Sequence, residues 1–118
     1  MTSDIWEPVM RPDQLFPTLC ARLSAGDLEG VVALYEPDAM LELADGLVRG
    51  RTQIREWYRR ALKEIDPTFA GTARPTRQSA GVALTSAVLG DGSITAEVAR
   101  QQADGSWLWT VDCPQFAL

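Results

Sequence analysis

The stretch EVARQQADGSWLWTVDCP, residues 97–114, decides the fold class, because it predicts two strands joined by a tight turn. Asp104 and Gly105 lie at the bend, where a hairpin turn needs residues that tolerate positive φ. Alternation along the second strand places its residues on two faces, with Trp107, Trp109 and Val111 on one and Leu108, Thr110 and Asp112 on the other. The chain therefore carries a Trp-rich hairpin near its C-terminus.

Asp112 places a carboxyl group near the end of this otherwise apolar strand. A carboxylate in a dry pocket is a candidate for acid/base chemistry, because its charged form is disfavoured there. The alternative is that Asp112 only caps the strand end before Cys113 and Pro114. Periodicity leaves both interpretations open.

Composition indicates one ordinary globular domain of 118 residues, with 46% hydrophobic and 23% charged residues. The net charge of −5 argues against partners with a phosphate backbone and against an anionic membrane surface. The chain has no histidine, so it lacks the usual base at physiological pH and the commonest transition-metal ligand. Its two cysteines, Cys20 and Cys113, lie far apart, and we predict reduced, partly buried thiols. Since the sequence also lacks a Gly-rich phosphate loop, we expect neither a metal site nor a cofactor.

The N-terminus, MTSDIWEP, is acidic and lacks the apolar core of a signal peptide. No apolar run approaches the ~20 residues needed to span a bilayer. We therefore expect a soluble, cytoplasmic protein with no membrane partner. Residues 1–12 are interpreted as an arm that is loose or folds back through Trp6, and residues 13–118 as a single domain.

Three segments with helical spacing of apolar residues precede the long strands. Pro17 falls in the first turn of the first helix, Asp27 is an N-cap for the second, and Thr52 is the N-cap expected for the third. The apolar faces are Leu15, Phe16, Leu19, Cys20 and Leu23; then Leu28, Val31, Val32 and Tyr35; then Ile54, Trp57, Tyr58, Ala61, Leu62 and Ile65. We expect the third helix to end at Asp66–Pro67.

Strands are predicted on both sides of the third helix. AMLEL (39–43) and Leu47–Val48 form a small hairpin around Asp45–Gly46, and the remaining strands are residues 69–80, 82–89, 93–102 and 107–112. Pro75 should put its strand at an edge or a bulge. Helices segregated to one side of an antiparallel sheet give a two-layer α+β fold.

The order SAGDLEGVVALYEPDAMLEL, GRTQIREWYRRAL and EVARQQADGSW resembles the nuclear-transport-factor-2-like superfamily, over about residues 13–114. The branch that it resembles is that of the SnoaL-like proteins and small bacterial ketosteroid-isomerase homologues. The resemblance implies a cone, in which a strongly curved antiparallel sheet wraps three N-terminal helices around an internal pocket. Many members dimerise through the outer sheet face, and Trp107, Trp109 and Val111 would supply that face here.

The resemblance also identifies positions where ketosteroid isomerases keep a base and two oxyanion donors. This sequence has Leu43, Leu19 and Ile94 there, so we expect it not to be a true ketosteroid isomerase. A slip of one residue in the first strand would instead turn Glu42 inward.

The site that the resemblance implies is centred on Asp112 as acid or base, with Tyr35 and Tyr58 as further catalytic candidates. Each tyrosine has a plainer interpretation, as an apolar-face aromatic whose hydroxyl reaches solvent or a carbonyl. Glu97 and Arg100 should face opposite sides, so that one points to the pocket. The residues expected to bind substrate are Leu19, Leu43, Trp57, Leu108 and Thr110.

We therefore predict a homodimer that binds a small apolar organic ligand, and the sequence leaves two alternatives for its function. An enzyme would be a cofactor-free isomerase, cyclase or dehydratase acting on an apolar cyclic or polyketide-like substrate. The alternative is a non-catalytic ligand-binding or dimerisation module. An enzyme should have an open cavity that contains Asp112, whereas side chains should fill that volume in a structural module.

Overall fold

The computed structural model describes residues 6–64 and 71–116. Three α-helices lie in these ranges: α1 (Leu15–Ser24), which follows a 3-10 turn at Pro12–Gln14, α2 (Leu28–Val32) and α3 (Gly50–Ala61). In the described part of the chain, no helix has the length and apolar character to cross a bilayer.

Eight strands in the described ranges form one curved, unclosed sheet. They are β1 (Tyr35–Leu43), β2 (Gly46–Arg49), β3 (Gly71–Ala73), β4 (Arg77–Ser79), β5 (Val82–Thr85), β6 (Ala87–Leu89), β7 (Ile94–Gln101) and β8 (Trp107–Phe116). The order is β2-β1-β8-β7-β5-β4, while β6 also pairs with β7, and β3 pairs with β6. The predicted α+β cone is confirmed.

We had predicted a wholly antiparallel sheet, and this detail is wrong because the sheet is mixed. β1 pairs with β8 in parallel, and the other pairs are antiparallel. Parallel neighbours need a long crossover, and here the chain between β1 and β8 supplies it. This parallel pair brings the start of β1 beside the first residues of β8, since Tyr35 lies opposite Trp109.

The hairpin between β7 and β8 forms as predicted. Gly105 has a φ of 88°, in the left-handed region that favours glycine. The carboxylate of Asp104 accepts hydrogen bonds from the backbone N of Ser106 at 2.9 Å and from its hydroxyl at 2.6 Å. The Asp104–Gly105 turn thus joins the end of β7 to the start of β8.

The predicted faces of β8 are wrong for the two tryptophans. Trp107 and Trp109 are only 2% and 1% exposed, and both belong to the core. Leu108 and Thr110 occupy the opposite face of the strand and are only half-buried. The outer sheet face is therefore not built from tryptophan, because alternation from the turn carries both indoles inward.

A β-bulge explains why Asp112 nevertheless faces inward. Ala99 lies opposite Trp109, but the next residue back, Val98, lies opposite Val111, so β8 carries one extra residue at Thr110. An extra residue reverses the alternation beyond it. Trp109 and Asp112, three positions apart, therefore share the inner face.

The second helix is shorter than its apolar face predicted. α2 ends at Val32, and Tyr35 begins β1 instead of completing a helical turn. Glu36 precedes Pro37, and a residue before proline is pushed out of the helical region into extended backbone. At the other end the predicted N-cap is confirmed, since the side chain of Asp27 accepts a hydrogen bond from the backbone N of Gly30 at 3.1 Å.

Three other predicted segments have different bounds. The strand predicted over residues 69–80 is divided into β3 and β4 by the irregular stretch at Pro75, and residues 82–89 form the two strands β5 and β6. α3 is preceded by Arg49 as N-cap rather than by Thr52. Ile65, the predicted helix end at Asp66–Pro67 and the start of the strand at Phe69 lie outside the described residues.

The described part of the N-terminal arm packs against the body. The indole Nε1 of Trp6 donates to Asp27 Oδ2 at 2.8 Å, and the backbone N of Trp107 donates to the carbonyl of Val9 at 2.8 Å. These contacts agree with an arm that folds back. The division of the chain into an arm of residues 1–12 and a domain of residues 13–118 stays a prediction.

Candidate functional site

A cavity of about 330 Å³ lies between the helices and the inner face of the sheet. This volume is at the lower end of the range for sites that bind small organic molecules. Most of its wall is apolar, and the larger apolar residues are Phe16, Leu19 and Leu23 from α1, Leu43 from β1, Trp57 from α3, Leu89 from β6 and Trp109 from β8.

The polar groups of the cavity are acidic or neutral. Glu42 and Asp91 are exposed, whereas Glu97 and Asp112 are each only 4% exposed. Among the described residues that line the cavity, none is basic. Over residues 6–64 and 71–116, His, Cys, Asp and Glu form no group of three or more that could hold a metal ion. The arrangement suits a ligand that is mostly apolar and carries no negative charge.

Asp112 ends a chain of three hydrogen-bonded side chains. The Tyr35 hydroxyl donates to Asp112 Oδ2 at 2.5 Å, and the hydroxyl oxygens of Tyr35 and Tyr58 are 2.6 Å apart. Because a phenol has one proton, Tyr58 must donate to Tyr35 when Tyr35 donates to Asp112. The three predicted catalytic residues are thus in contact, although they come from β1, α3 and β8.

Burial raises the pKa of Asp112 to about 8, and the nearby carboxylate of Glu97 adds to the rise, while the hydrogen bond from Tyr35 opposes it. The pKa values of Tyr35 and Tyr58 are also raised well above the usual range, first by burial and then by the charge of Asp112. Both phenols therefore remain protonated, and Asp112 holds its proton at neutral pH.

Glu97 faces the cavity. The sequence alone had not decided whether Glu97 or Arg100 would point to the pocket. Glu97 lies directly opposite Asp112 across β7 and β8. Thr85 Oγ1 donates to Glu97 Oε1 at 2.6 Å, and the indole Nε1 of Trp109 donates to Thr85 Oγ1 at 3.0 Å. Burial raises the pKa of Glu97, and hydrogen bonds from Thr85 and Thr95 oppose the rise.

Sequence reasoning missed Glu97 as the partner of Asp112. Near the turn, Gln101 lies opposite Trp107, and this register continued without a bulge would pair Glu97 with Val111, which has no ionisable group. The extra residue at Thr110 moves the register by one and brings the two carboxyl groups face to face. A two-residue turn at Asp104 and Gly105 would have paired Glu97 with Asp112, so this signal was present in the sequence and was overlooked.

Arg100 points away from the cavity. Its Nη2 lies 2.8 Å from Glu36 Oε1 and its Nε donates to Glu36 Oε2 at 2.9 Å. Nη2 also donates to Thr110 Oγ1 at 3.2 Å, so Thr110 belongs to this surface group. The hydrogen bonds from Arg100 lower the pKa of Glu36 to about 2. A surface ion pair is the structural role of Arg100.

The predicted substrate-binding residues divide into two groups. Leu19, Leu43 and Trp57 line the cavity. Leu108 and Thr110 do not, because both lie on the outer side of β8, and this part of the prediction is wrong. Their expected position assumed regular alternation back from Asp112, which the bulge interrupts. The catalytic and binding roles themselves stay predictions.

Three further predicted positions can be placed. Tyr35 is fully buried behind Asp112 and does not line the cavity, whereas Tyr58 does. Leu43 lies on the same face of β1 as the buried Leu41, as in the preferred register, while Glu42 is exposed yet also lines the cavity. Ile94, the position expected for an oxyanion donor, does not line the cavity.

Solved structures of low sequence identity share this fold. A ketosteroid isomerase-like protein from Erwinia carotovora is 20% identical, with a TM-score of 0.70 over 86% of this chain and 89% of that protein. An NTF2-like protein from Pseudomonas putida is 16% identical, with a TM-score of 0.68 over 89% of each chain. A SnoaL-like protein from Burkholderia thailandensis is 17% identical, with a TM-score of 0.67 over 94% of this chain and 100% of that protein.

These likenesses concern the fold alone. No curated protein sequence matches the chain. The sequence model of the SnoaL-like domain matches residues 18–117, which is most of the chain. The chain therefore belongs to the SnoaL-like domain family, within the NTF2-like superfamily that its sequence resembles.

Proposed function

We propose that this protein binds a small apolar organic molecule in the 330 Å³ cavity and acts on it by cofactor-free acid/base chemistry. The reaction would be an isomerisation, cyclisation or dehydration of an apolar cyclic or polyketide-like substrate. The observation that carries the proposal is the position of Asp112, which is buried, lines the cavity and is held by Tyr35.

Asp112 is suited to give a proton to a substrate oxygen. Its pKa of about 8 keeps the carboxyl protonated at neutral pH, yet close enough to the working pH for the proton to leave. The hydrogen bond from Tyr35 fixes one carboxyl oxygen and leaves the other for a ligand. Apolar walls exclude water, and this strengthens a hydrogen bond from Asp112 to a carbonyl oxygen.

The two tyrosines act through Asp112 in this proposal. Tyr35 is fully buried and does not line the cavity, so it positions Asp112 rather than touching the ligand. Tyr58 lines the cavity, but its proton is used in the hydrogen bond to Tyr35. Tyr35 and Tyr58, the further catalytic candidates, therefore orient Asp112 rather than act on the substrate oxygen.

The alternative is a non-catalytic module in which Asp112 only anchors a ligand or the end of the strand. The open cavity favours ligand binding over a purely structural role, because packed side chains would otherwise fill this volume. Binding and catalysis are separated by the variant Asp112→Asn, which keeps the shape and loses the proton.

The experiment is a screen of fused-ring ketones for binding, read by the fluorescence of Trp57 and Trp109, and for turnover, read by NMR of the ketone. We expect Asp112→Asn to bind and not to turn over. The matched control is Thr72→Val, at an exposed position of β3 that does not line the cavity, and this variant should both bind and turn over the ketone. Equal turnover by Asp112→Asn and the wild type would contradict the catalytic proposal, and no binding by the wild type would contradict the ligand-binding proposal.

We also propose a homodimer through the outer face of the sheet. Leu84 on β5, Val98 on β7, Val111 on β8 and Met40 on β1 lie opposite one another in a row across four strands. Leu84 is 51% and Val111 36% exposed, and Val98 lies between them, so the row forms a continuous apolar patch of the kind that marks an interaction surface. This row replaces the tryptophan face that we had predicted. The cytoplasmic location stays a prediction.

A further inference from the structure

We propose that Glu97 is a second catalytic residue and that Glu97 and Asp112 share one proton, with Glu97 as the base and Asp112 as the acid. Together they would enolise a ketone that is bound in the cavity. This inference rests on the proposed function of the cavity, and it names the base and the class of substrate, a ketone with a hydrogen on the carbon next to its carbonyl.

The geometry of the pair is the first argument. Glu97 and Asp112 lie directly opposite each other on neighbouring strands, where Cβ atoms are about 5 Å apart. Both are 4% exposed and both line the cavity. The other ionisable groups around the pair are Tyr35 and Glu42 from β1, Tyr58 from α3 and Asp91 from the turn before β7.

None of these groups carries a positive charge, and none of the described residues that line the cavity is basic. Two buried carboxylates at this separation repel each other and pay a desolvation cost together. The pair therefore retains one proton at neutral pH, and the two groups titrate as a coupled unit.

The hydrogen bonds decide which member is ionised. Glu97 receives hydrogen bonds from Thr85 and Thr95, and these favour its charged form. Asp112 receives one, from Tyr35. Since Trp109 Nε1 donates to Thr85 Oγ1, the single proton of Thr85 is directed to Glu97. Glu97 is therefore the carboxylate of the pair, with Thr85 and Trp109 as its positioning residues.

The step balances without a cofactor. Asp112 gives its proton to the carbonyl oxygen while Glu97 removes a proton from the neighbouring carbon. The C–H electrons form the new C=C bond, and the C=O π electrons form the O–H bond. The products are the enol, an ionised Asp112 and a protonated Glu97, so the pair still holds one proton. Return of the proton from Glu97 to carbon and recovery of the enol proton by Asp112 reset the site.

The test is the rate at which 2-tetralone, an apolar bicyclic ketone, takes up deuterium beside its carbonyl in D₂O, followed by ¹H NMR. We expect the protein to accelerate this exchange above the buffer rate. Glu97→Gln should lose roughly 10² to 10⁴-fold of that acceleration, the usual contribution of a positioned base. Binding of 2-tetralone, read by tryptophan fluorescence, should remain, and Thr72→Val on β3 serves as the control outside the cavity.

Thr85→Val tests the positioning role. Without the hydroxyl, the pKa of Glu97 should rise, so the acid limb of the pH–rate profile should move to higher pH, which a merely structural role would not cause. This variant also decides the question if Glu97→Gln does not fold, since an unmoved acid limb would overturn the role of Glu97 as base.

The outcomes separate the two proposals. Bound 2-tetralone with no accelerated exchange by the wild type, or with equal exchange by Glu97→Gln, overturns this inference and leaves the ligand-binding function standing. Failure of the wild type to bind 2-tetralone or any fused-ring ketone of the screen overturns both. Bound ketone whose exchange depends on Glu97 supports both.

Discussion

Glu97 and Asp112 lie directly opposite each other on β7 and β8, and both carboxyl groups line one apolar cavity. Like charges in such positions destabilise a sheet when they are ionised together. The pair is therefore a feature that packing alone would not favour, and its hydrogen bonds to Thr85 and Tyr35 hold both members in place.

The first prediction concerns the pH dependence of stability. Because the folded-state pKa of Asp112 is about 8 and its ordinary value is 3.8, the folded state holds a proton that the unfolded state has lost. Stability is thus fully present below pH 4 and falls as the pH rises toward 8, by at most about 1.4 kcal/mol per pH unit for one group.

Asp112→Asn should flatten this decline, since the amide does not ionise and still accepts from Tyr35. The measurement is urea unfolding between pH 5 and pH 9. Asp91→Asn is the control, because Asp91 is exposed and its hydrogen bonds with Ser93 lower its pKa, so the decline should persist. A wild-type free energy of unfolding that rises over this range would contradict the assignment.

A second prediction compares the two tyrosines. Tyr35→Phe should cost about 1–3 kcal/mol, because Asp112 loses its donor and Tyr58 loses its acceptor in a buried site. Tyr58→Phe should cost less, since Tyr35 still donates to Asp112. Urea unfolding at pH 7 measures both. The opposite order would show that Tyr35 is not the central member of the chain.

The corrected faces of β8 give a third prediction. Trp109 is buried and packs against Tyr35 with ring centroids 5.5 Å apart, so Trp109→Ala should cost about 3–5 kcal/mol. Leu108→Ala, on the half-buried outer side, should cost about 1 kcal/mol. Thermal and urea unfolding compare the neighbours, and similar losses would contradict the inward position of Trp109.

The fourth prediction tests the homodimer. Leu84→Lys places a charge in the apolar row and should give monomers in sedimentation at micromolar concentration, with the fold intact by circular dichroism. Leu47→Lys is the matched control, because Leu47 on β2 is similarly exposed, at 56%, but lies outside the row. A wild-type protein that sediments as a monomer would refute the proposed interface, which should bury roughly 800 Å² per partner.

Much of the fold follows from local signals. The Asp104–Gly105 turn, the amphipathic stripe of α1 and that of α3 are encoded by neighbouring residues, and all three appear in the structure. We predicted Tyr35 on the second helix because its spacing from Val31 fits a helical face. It begins β1 instead, since Pro37, two residues later, favours extended backbone before it. The order of helices and strands was therefore predictable, and some boundaries were not.

The site was only partly predictable for a different reason. Asp112 was found as an ionisable residue on an apolar strand, and the tyrosines through a family resemblance. The pairing of Glu97 with Asp112 was overlooked. The shared inner face of Trp109 and Asp112 depends on one extra residue in β8, which regular alternation does not predict. Parallel pairing of β1 with β8 is likewise a tertiary property.

The most direct test of the central claim is a ¹³C NMR titration of the Asp112 side-chain carboxyl group in the wild type and in Glu97→Gln. A buried carboxyl that shares a proton with Glu97 should titrate near pH 8 in the wild type. Its pKa should fall when the charge of Glu97 is removed, because that charge contributes to the shift. Titration of Asp112 near pH 4, or a pKa that does not change in Glu97→Gln, would contradict the account.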